Sequence, residues 1–244
     1  MTATPPLALN AWLRWDLIER QLRSLSAPQT ILELGCGQGA VGARLARTGS
    51  YTGVEPDPTS RATARGRLPE SARLVDDLSA LPPSESFDLV CAFEVLEHIE
   101  DDDEALHTWV GHVNEGGHVL VSVPAHQRRF GAWDDRVGHL RRYERAGLVA
   151  LLQGAGLEIV RIDASGFPLG NVLERCRNGI ARAERHRPRS VDARTAASGR
   201  AFQPPPAAGW LLQLLSGPFR LAQRRFRHRA LGTGWVATAR RPPA

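Results

Sequence analysis

The run ILELGCGQGAVGARLA at 31–46 does most to limit what this chain can fold into. An apolar strand carrying Glu33 near its end meets Gly35, Gly37 and Gly39 and passes into helix-forming residues. Glycines at such a junction allow a tight turn and close backbone approach to a ligand, and the helix N-terminus beyond favours a negative group. Gly37, Gly39 and Gly42 also satisfy GxGxxG, so a nicotinamide-dinucleotide domain shares this feature.

The surrounding pattern fits that junction. Apolar residues at helical spacing between Leu7 and Leu25 predict an amphipathic helix, with Trp12 and Trp15 placed to line a pocket or to join the core. Strands are then expected at 30–35, 51–55, 72–76, 87–93, 117–123 and 157–164, and helices at 39–48, 58–67, 101–113 and 144–154. This alternation predicts an α/β fold, a Rossmann-like doubly wound sheet. Trp235, Val236 and Ala237 offer a last strand antiparallel to 157–164. The expected division is a helical cap at 1–28, a core at 29–165, a basic helical insertion at 166–232, and the last strand and tail at 233–244.

Composition removes several chemistries. All 31 basic residues are arginine, so no lysine can form a Schiff base or serve a Walker loop. Cys36, Cys91 and Cys176 show no CxxC spacing and are expected as reduced thiols. With no apolar run long enough to span a bilayer and no signal-peptide pattern, the expectation is a soluble cytoplasmic protein.

Carboxylates recur where a nucleoside would meet them. Glu55, beside Pro56 at the end of the second strand, can accept from ribose hydroxyls, and Asp77, beside Leu78 after the third, can accept from an adenine amino group. Asp76 reads as a solvated loop acid. After the fourth strand comes Phe93-Glu94-Val95-Leu96-Glu97-His98, and if it is helical its two glutamates and histidine share one face. Two carboxylates and an imidazole so placed can hold a divalent cation, with a fourth ligand from elsewhere.

Taken in order, ELGCGQG, VEPD, DDLSALP and FDLVCAFEVLEHIED resemble the successive motifs of class I S-adenosylmethionine-dependent methyltransferases, over residues 30 to about 164. The resemblance implies a seven-stranded sheet. It also implies an S-adenosylmethionine site formed by Glu33, Gly35, Cys36, Gly37, Gly39, Glu55, Pro56, Asp77, Leu78, Phe93 and Glu94. The FExxEH motif with the later His139 resembles metal-dependent O-methyltransferases of ubiquinone biosynthesis and of small-RNA 2′-hydroxyls. Carried over, it implies Glu94, Glu97, His98 and His139 as ligands to magnesium or manganese, and methylation of oxygen. Similar segments also occur in metal-free methyltransferases, and there His98 or His139 is the catalytic base. His126 and Trp133 are further acceptor contacts to consider, and Arg141, Arg142 and Tyr143 are candidates for fixing the loop or acceptor.

Charge is uneven. Residues 171–230 carry 13 arginines against Glu174, Glu184 and Asp192, a balance of +10, while the remainder is −5. The stretch 210–231 mixes Trp210, Leu211, Leu214, Leu215, Phe219, Leu221 and Phe226 with arginines, and Pro218 is expected to break any helix there. Such a segment either meets an anionic membrane or packs as a cap or dimer helix. The expected acceptors are a small molecule or glycan first, a lipid-linked molecule second and RNA last, since no stacking platform of exposed aromatics is evident. A nicotinamide oxidoreductase and a non-catalytic methyltransferase-like partner are the competing readings.

Overall fold

The computed structural model describes residues 4–183 and 209–243. Seven strands form one sheet: β1 (Thr30–Leu34), β2 (Ser50–Val54), β3 (Arg73–Val75), β4 (Phe87–Phe93), β5 (Val113–Pro124), β6 (Glu158–Ser165) and β7 (Gly234–Arg240). Their order is β3-β2-β1-β4-β5-β7-β6, parallel except for β7, which runs antiparallel between β5 and β6. A wholly parallel dinucleotide-binding sheet has the order 3-2-1-4-5-6, so the inserted β7 separates this chain from that fold.

The central strands are buried on both sides, which is why they read as nearly continuous apolar runs. Leu32, Leu34, Val90, Val119 and Val121 face a core closed by α4 (Asp102–Gly111) and α6 (Arg145–Gly154). Ile31, Leu89, Cys91 and Leu120 face the other, closed by α1 (Leu9–Leu22), α2 (Gly42–Leu45) and α3 (Pro58–Arg65). Caps mark helix starts as the sequence suggests: the Asp57 side chain accepts from Ser60 N at 2.9 Å, and that of Asp101 from Glu104 N at 3.0 Å.

Three expectations change. The helix expected at 39–48 shrinks to Gly42–Leu45, because the preceding glycines hold the chain in turns. The strand expected at 117–123 begins at Val113. Pro218 does not break the C-terminal helix, here α8 (Gly209–Phe226). Pro218 and Leu214 both lie on the exposed side, where water can satisfy the carbonyl that loses its donor.

Two further helices complete the carboxyl edge, α5 (Ala132–Val137) and α7 (Leu169–Ala183). The part of the basic insertion at 184–208, including Glu184, Asp192 and the triple proline, lies outside the described residues. What is described of it is tied to the core. Gln223 Nε2 donates to Leu13 O at 2.7 Å, Gly166 N to Gln223 Oε1 at 3.0 Å, and Arg224 pairs with the buried Asp16. Trp210, Leu214, Leu215 and Leu221 remain exposed on α8, and among the described residues no helix is long and apolar enough to cross a membrane.

Asp16 thus anchors α8 to α1 from a nearly dry position. Asp16→Ala is expected to loosen α8 first, at a cost of about 1–3 kcal/mol. Trypsin should then cleave at Arg220, Arg224 and Arg225 at least about tenfold faster, with the far-ultraviolet dichroism of the sheet retained; unchanged cleavage would reject the anchoring role.

Candidate active site

Helices leave β1 and β4 toward opposite faces, and the crevice opened at their carboxyl ends is where an α/β sheet binds ligands. A cavity of about 1230 Å³ lies there, bounded by the glycine turn, the ends of β2, β4 and β5, and residues of α1, α5 and α7.

The turn is held by its neighbours. Gly35, Gly37 and Gly39 have φ of 66°, 54° and 74°, a region that side chains disfavour. A Cβ on Gly35 would lie 2.6 Å from Val95 Cγ2, whereas one on Gly37 would meet no protein atom within 4 Å, so the Gly37 backbone faces open cavity. Glu55 takes the Gly37 N–H at 2.7 Å and the Asp57 N–H at 2.9 Å, leaving lone pairs for a ligand. Behind the turn, Tyr51 donates its hydroxyl to Glu33 Oε2 at 2.6 Å. Burial pushes Glu33 up to about 8, with the Tyr51 bond opposing. Gly42, the last glycine of the motif, makes room for that pair, since its Cβ would collide with the Tyr51 hydroxyl.

Glu33, Gly35, Cys36, Gly37, Glu55, Pro56, Phe93 and Glu94 all line the cavity. Gly39 is buried under it against Ala64. Asp77 and Leu78 fall outside the lining. Asp77 is exposed and accepts from Ser79 N at 2.8 Å, capping a short 3-10 turn (Leu78–Ala80), because the edge strand β3 ends three residues after it begins.

The FExxEH segment is not a helical face. Glu94 has φ of 60°, and only Leu96–His98 form a 3-10 turn. Glu94 therefore turns away from the expected ligand set, its carboxylate ion-paired to Arg14 at 3.1 Å and accepting from Ser122 Oγ at 3.3 Å. Glu97, His98 and His139 do converge, with one donor atom from each lying within 4.8 Å of the others. The two imidazoles meet edge to face at 4.8 Å between centroids.

Each histidine is oriented from behind. His98 Nδ1 lies 3.1 Å from Gly138 O and His139 Nδ1 lies 2.8 Å from Asp134 Oδ1. A carbonyl and a carboxylate only accept, so both Nδ1 atoms carry hydrogen and both Nε2 atoms are turned to the site. Burial, with His139 alongside, pulls His98 down to about 4, which keeps it neutral at pH 7. Glu97 is completely buried, and neither of its carboxylate oxygens has a hydrogen-bond partner among the described residues. Burial and the nearby Glu94 raise its pKa well above the usual carboxylate range.

Behind His139 runs an ionic relay. Arg142 donates to both oxygens of Asp134, at 2.9 and 2.7 Å, and pairs on its other side with Glu174 of α7, which also receives Arg129. Burial alone would raise Asp134, yet the bonds from His139 and Arg142 hold it at about 2. Of the neighbouring candidates, Trp133 lines the cavity. His126 does not, packing on Trp235 with Nδ1 3.2 Å from Glu144 Oε2. Arg141 and Tyr143 both bind Asp102, and Trp12 and Trp15 line a separate cleft under Arg44. Sequence reasoning missed Arg14, Asp134 and Glu174; only Asp134, five residues before His139 and opening a helix, left a local trace.

A family model described as a methyltransferase domain matches residues 9–162. The chain belongs to that methyltransferase family. One relative, a probable S-adenosylmethionine-dependent methyltransferase of Mycolicibacterium smegmatis, is 30% identical over 155 residues, covering 62% of this chain and 60% of its own. A ubiquinone biosynthesis O-methyltransferase of a Methylobacterium species is 36% identical over 94 residues, 36% of this chain and 38% of its own. The chain thus spans well under two thirds of either relative. In fold, an S-adenosylmethionine-dependent methyltransferase from Mesorhizobium loti superposes with a TM-score of 0.62 at 17% identity, over 96% of this chain and 100% of that one. The seven-stranded sheet with its antiparallel β7 is the class I methyltransferase fold.

The relay gives a stability prediction for this methyltransferase. Arg142→Leu leaves the buried Asp134 without its cation and Glu174 with Arg129 alone, and urea denaturation should show a loss of about 3–5 kcal/mol. Arg142→Lys should recover less than half, because an ammonium cannot reproduce the two-pronged contact.

Proposed function

We propose that the chain is an S-adenosylmethionine-dependent O-methyltransferase acting on a small-molecule, glycan or lipid-linked acceptor, with a divalent cation held by Glu97, His98 and His139. The observation that carries the cation is Glu97, a dry carboxylate with both oxygens unpartnered, facing His139 Nε2 at 3.8 Å. A buried carboxylate without a partner is costly, and a cation bound by it and the two imidazoles removes the cost. Mixed oxygen and nitrogen donors suit manganese, iron or zinc by affinity, and magnesium by availability. The match to a protein named for O-methylation supports oxygen as the atom methylated.

Each part of the cavity then has a task. The Gly37 backbone and the free lone pairs of Glu55 bind the nucleoside, whose sulfonium supplies an electrophilic methyl group when bound. Glu33, set by Tyr51, faces the amino-acid end. A bound divalent cation would supply Lewis acidity, lowering the pKa of an acceptor hydroxyl. Asp134 and Gly138 keep the imidazoles aimed, and Arg14 holds the Glu94 side chain to one side of the cluster. Phe93, Val95 and Trp133 exclude water from the space between.

The Asp134–His139 pair also supports a second reading, in which His139, oriented by its carboxylate, itself removes the acceptor proton without a metal. Membrane contact through the exposed apolar side of α8 is compatible with a lipid-linked acceptor.

Two measurements test the proposal. Manganese should raise the Tm of the wild type, while Glu97→Gln should leave the apo-protein at least as stable and abolish the manganese response; equal responses would favour the metal-free base. Calorimetry with S-adenosylhomocysteine should give micromolar binding, weakened at least about tenfold in Gly37→Ala, at a folding cost of about 1–2 kcal/mol. No binding by the wild type would reject the cofactor.

A further inference from the structure

The cations that line the cavity are not equally committed. Arg142 is matched by Asp134 and Glu174, and Arg14 is paired with Glu94. Arg177 of α7 also lines the cavity, and among the described residues it has no hydrogen bond and no ion pair. Its Nε is buried without an acceptor, and its guanidinium carbon stands 5.3 Å from the ring centroid of Trp133, itself part of the wall. Burial lowers its pKa while Glu94 and Glu174 counter that, yet it stays charged at neutral pH.

The position of Arg177 is fixed from both sides. Glu174, one turn earlier on α7, is clamped by Arg129 and Arg142, and Asn178 accepts the Trp133 N–H at 2.9 Å. Leu173, Arg177 and Ile180, at helical spacing, present one face of α7 to the cavity. A buried donor group held this firmly without a protein acceptor carries a desolvation cost, which an incoming anion offsets. Stacking on an indole leaves the guanidinium edge free for a planar, two-pronged acceptor.

We propose that Arg177 is the anion-recognition residue of the acceptor site, so that the acceptor carries a carboxylate or phosphate group beside the hydroxyl to be methylated, with Trp133 against its ring or chain. This inference rests on reading the cavity as a methyl-transfer site. It narrows the acceptor from any small molecule, glycan or lipid to an acidic one. A neutral acceptor of the same shape leaves the buried Arg177 Nε without an acceptor, and is rejected for that reason.

The test is calorimetric titration of the full chain, saturated with S-adenosylhomocysteine and manganese. Three probes are used: 3,4-dihydroxybenzoate, 3,4-dihydroxybenzylphosphonate and the neutral 3,4-dihydroxybenzamide. In the wild type one or both anions should bind about 10- to 100-fold more tightly than the amide. Which anion binds better separates a carboxylate from a phosphate acceptor. In Arg177→Gln the advantage should vanish while S-adenosylhomocysteine affinity holds within about threefold, and Arg177→Lys should keep part of it. The apo Tm of Arg177→Gln should fall by no more than a few degrees, since only the stacking on Trp133 is lost within the described protein. Equal binding of anions and amide by the wild type, binding of none of the three, or full discrimination in Arg177→Gln would overturn the assignment. So would a fall in Tm of more than a few degrees. Failure of the wild type to bind S-adenosylhomocysteine is read separately and rejects the methyl-transfer reading itself.

Discussion

The contact on which the rest of the site depends is a single arginine held between two acids. Arg142 is almost fully enclosed, grips Asp134 through both of its oxygens, and reaches Glu174 on another helix. Asp134 does not tolerate its surroundings without that cation, Glu174 keeps only Arg129 beside it, and the cation does not tolerate them without the acids. The triad therefore forms as a unit and fixes three things together: the end of the β5 segment, the start of α5, and α7 above them. Asp134 passes the arrangement to His139 and so sets which imidazole nitrogen faces the cavity. The imidazole at the centre inherits its orientation from an ion pair built into the cavity wall.

The cofactor side is organised by sterics more than charge. Gly35 lies under Val95 and Gly42 under Tyr51, so at each position a side chain is excluded by a named neighbour. Gly37 is different, because nothing among the described residues fills the space beside it. The same motif thus combines glycines needed for packing with one that leaves the backbone open to a ligand. Glu55 joins the two by bonding the turn and the next helix start with one carboxylate.

Much of this was legible in the chain itself. Strand and helix positions followed from apolar periodicity, since both sheet faces are covered and the alternation with helices leaves few topologies. Glu97, His98 and His139 were marked by motif and chemistry, although the reason they meet differs from the spacing argument. A helical face would have included Glu94, whereas a left-handed residue and a single tight turn put Glu94 on Arg14 instead. Asp77 shows the limit of positional reasoning, since an acid after a strand was a fair nucleoside contact until the short edge strand set it in solvent. Arg14, Glu174 and Arg177 had no local signature. They act across 80, 32 or more positions of chain or through a cavity wall, and pairing at such distance is decided by tertiary packing alone.

The placement of α7 also bears on how such a site can diversify. Glu174 is locked into the triad beneath, while Leu173 and Ile180, about a turn before and after Arg177, line the cavity. Drift at those two positions would reshape the cavity without unsettling the Arg142 triad. A replacement at Glu174 would disturb both at once. The helix works as a replaceable wall riveted at Asn171, Glu174 and Asn178, a layout that lets a cavity change shape by small steps while its supports stay in place.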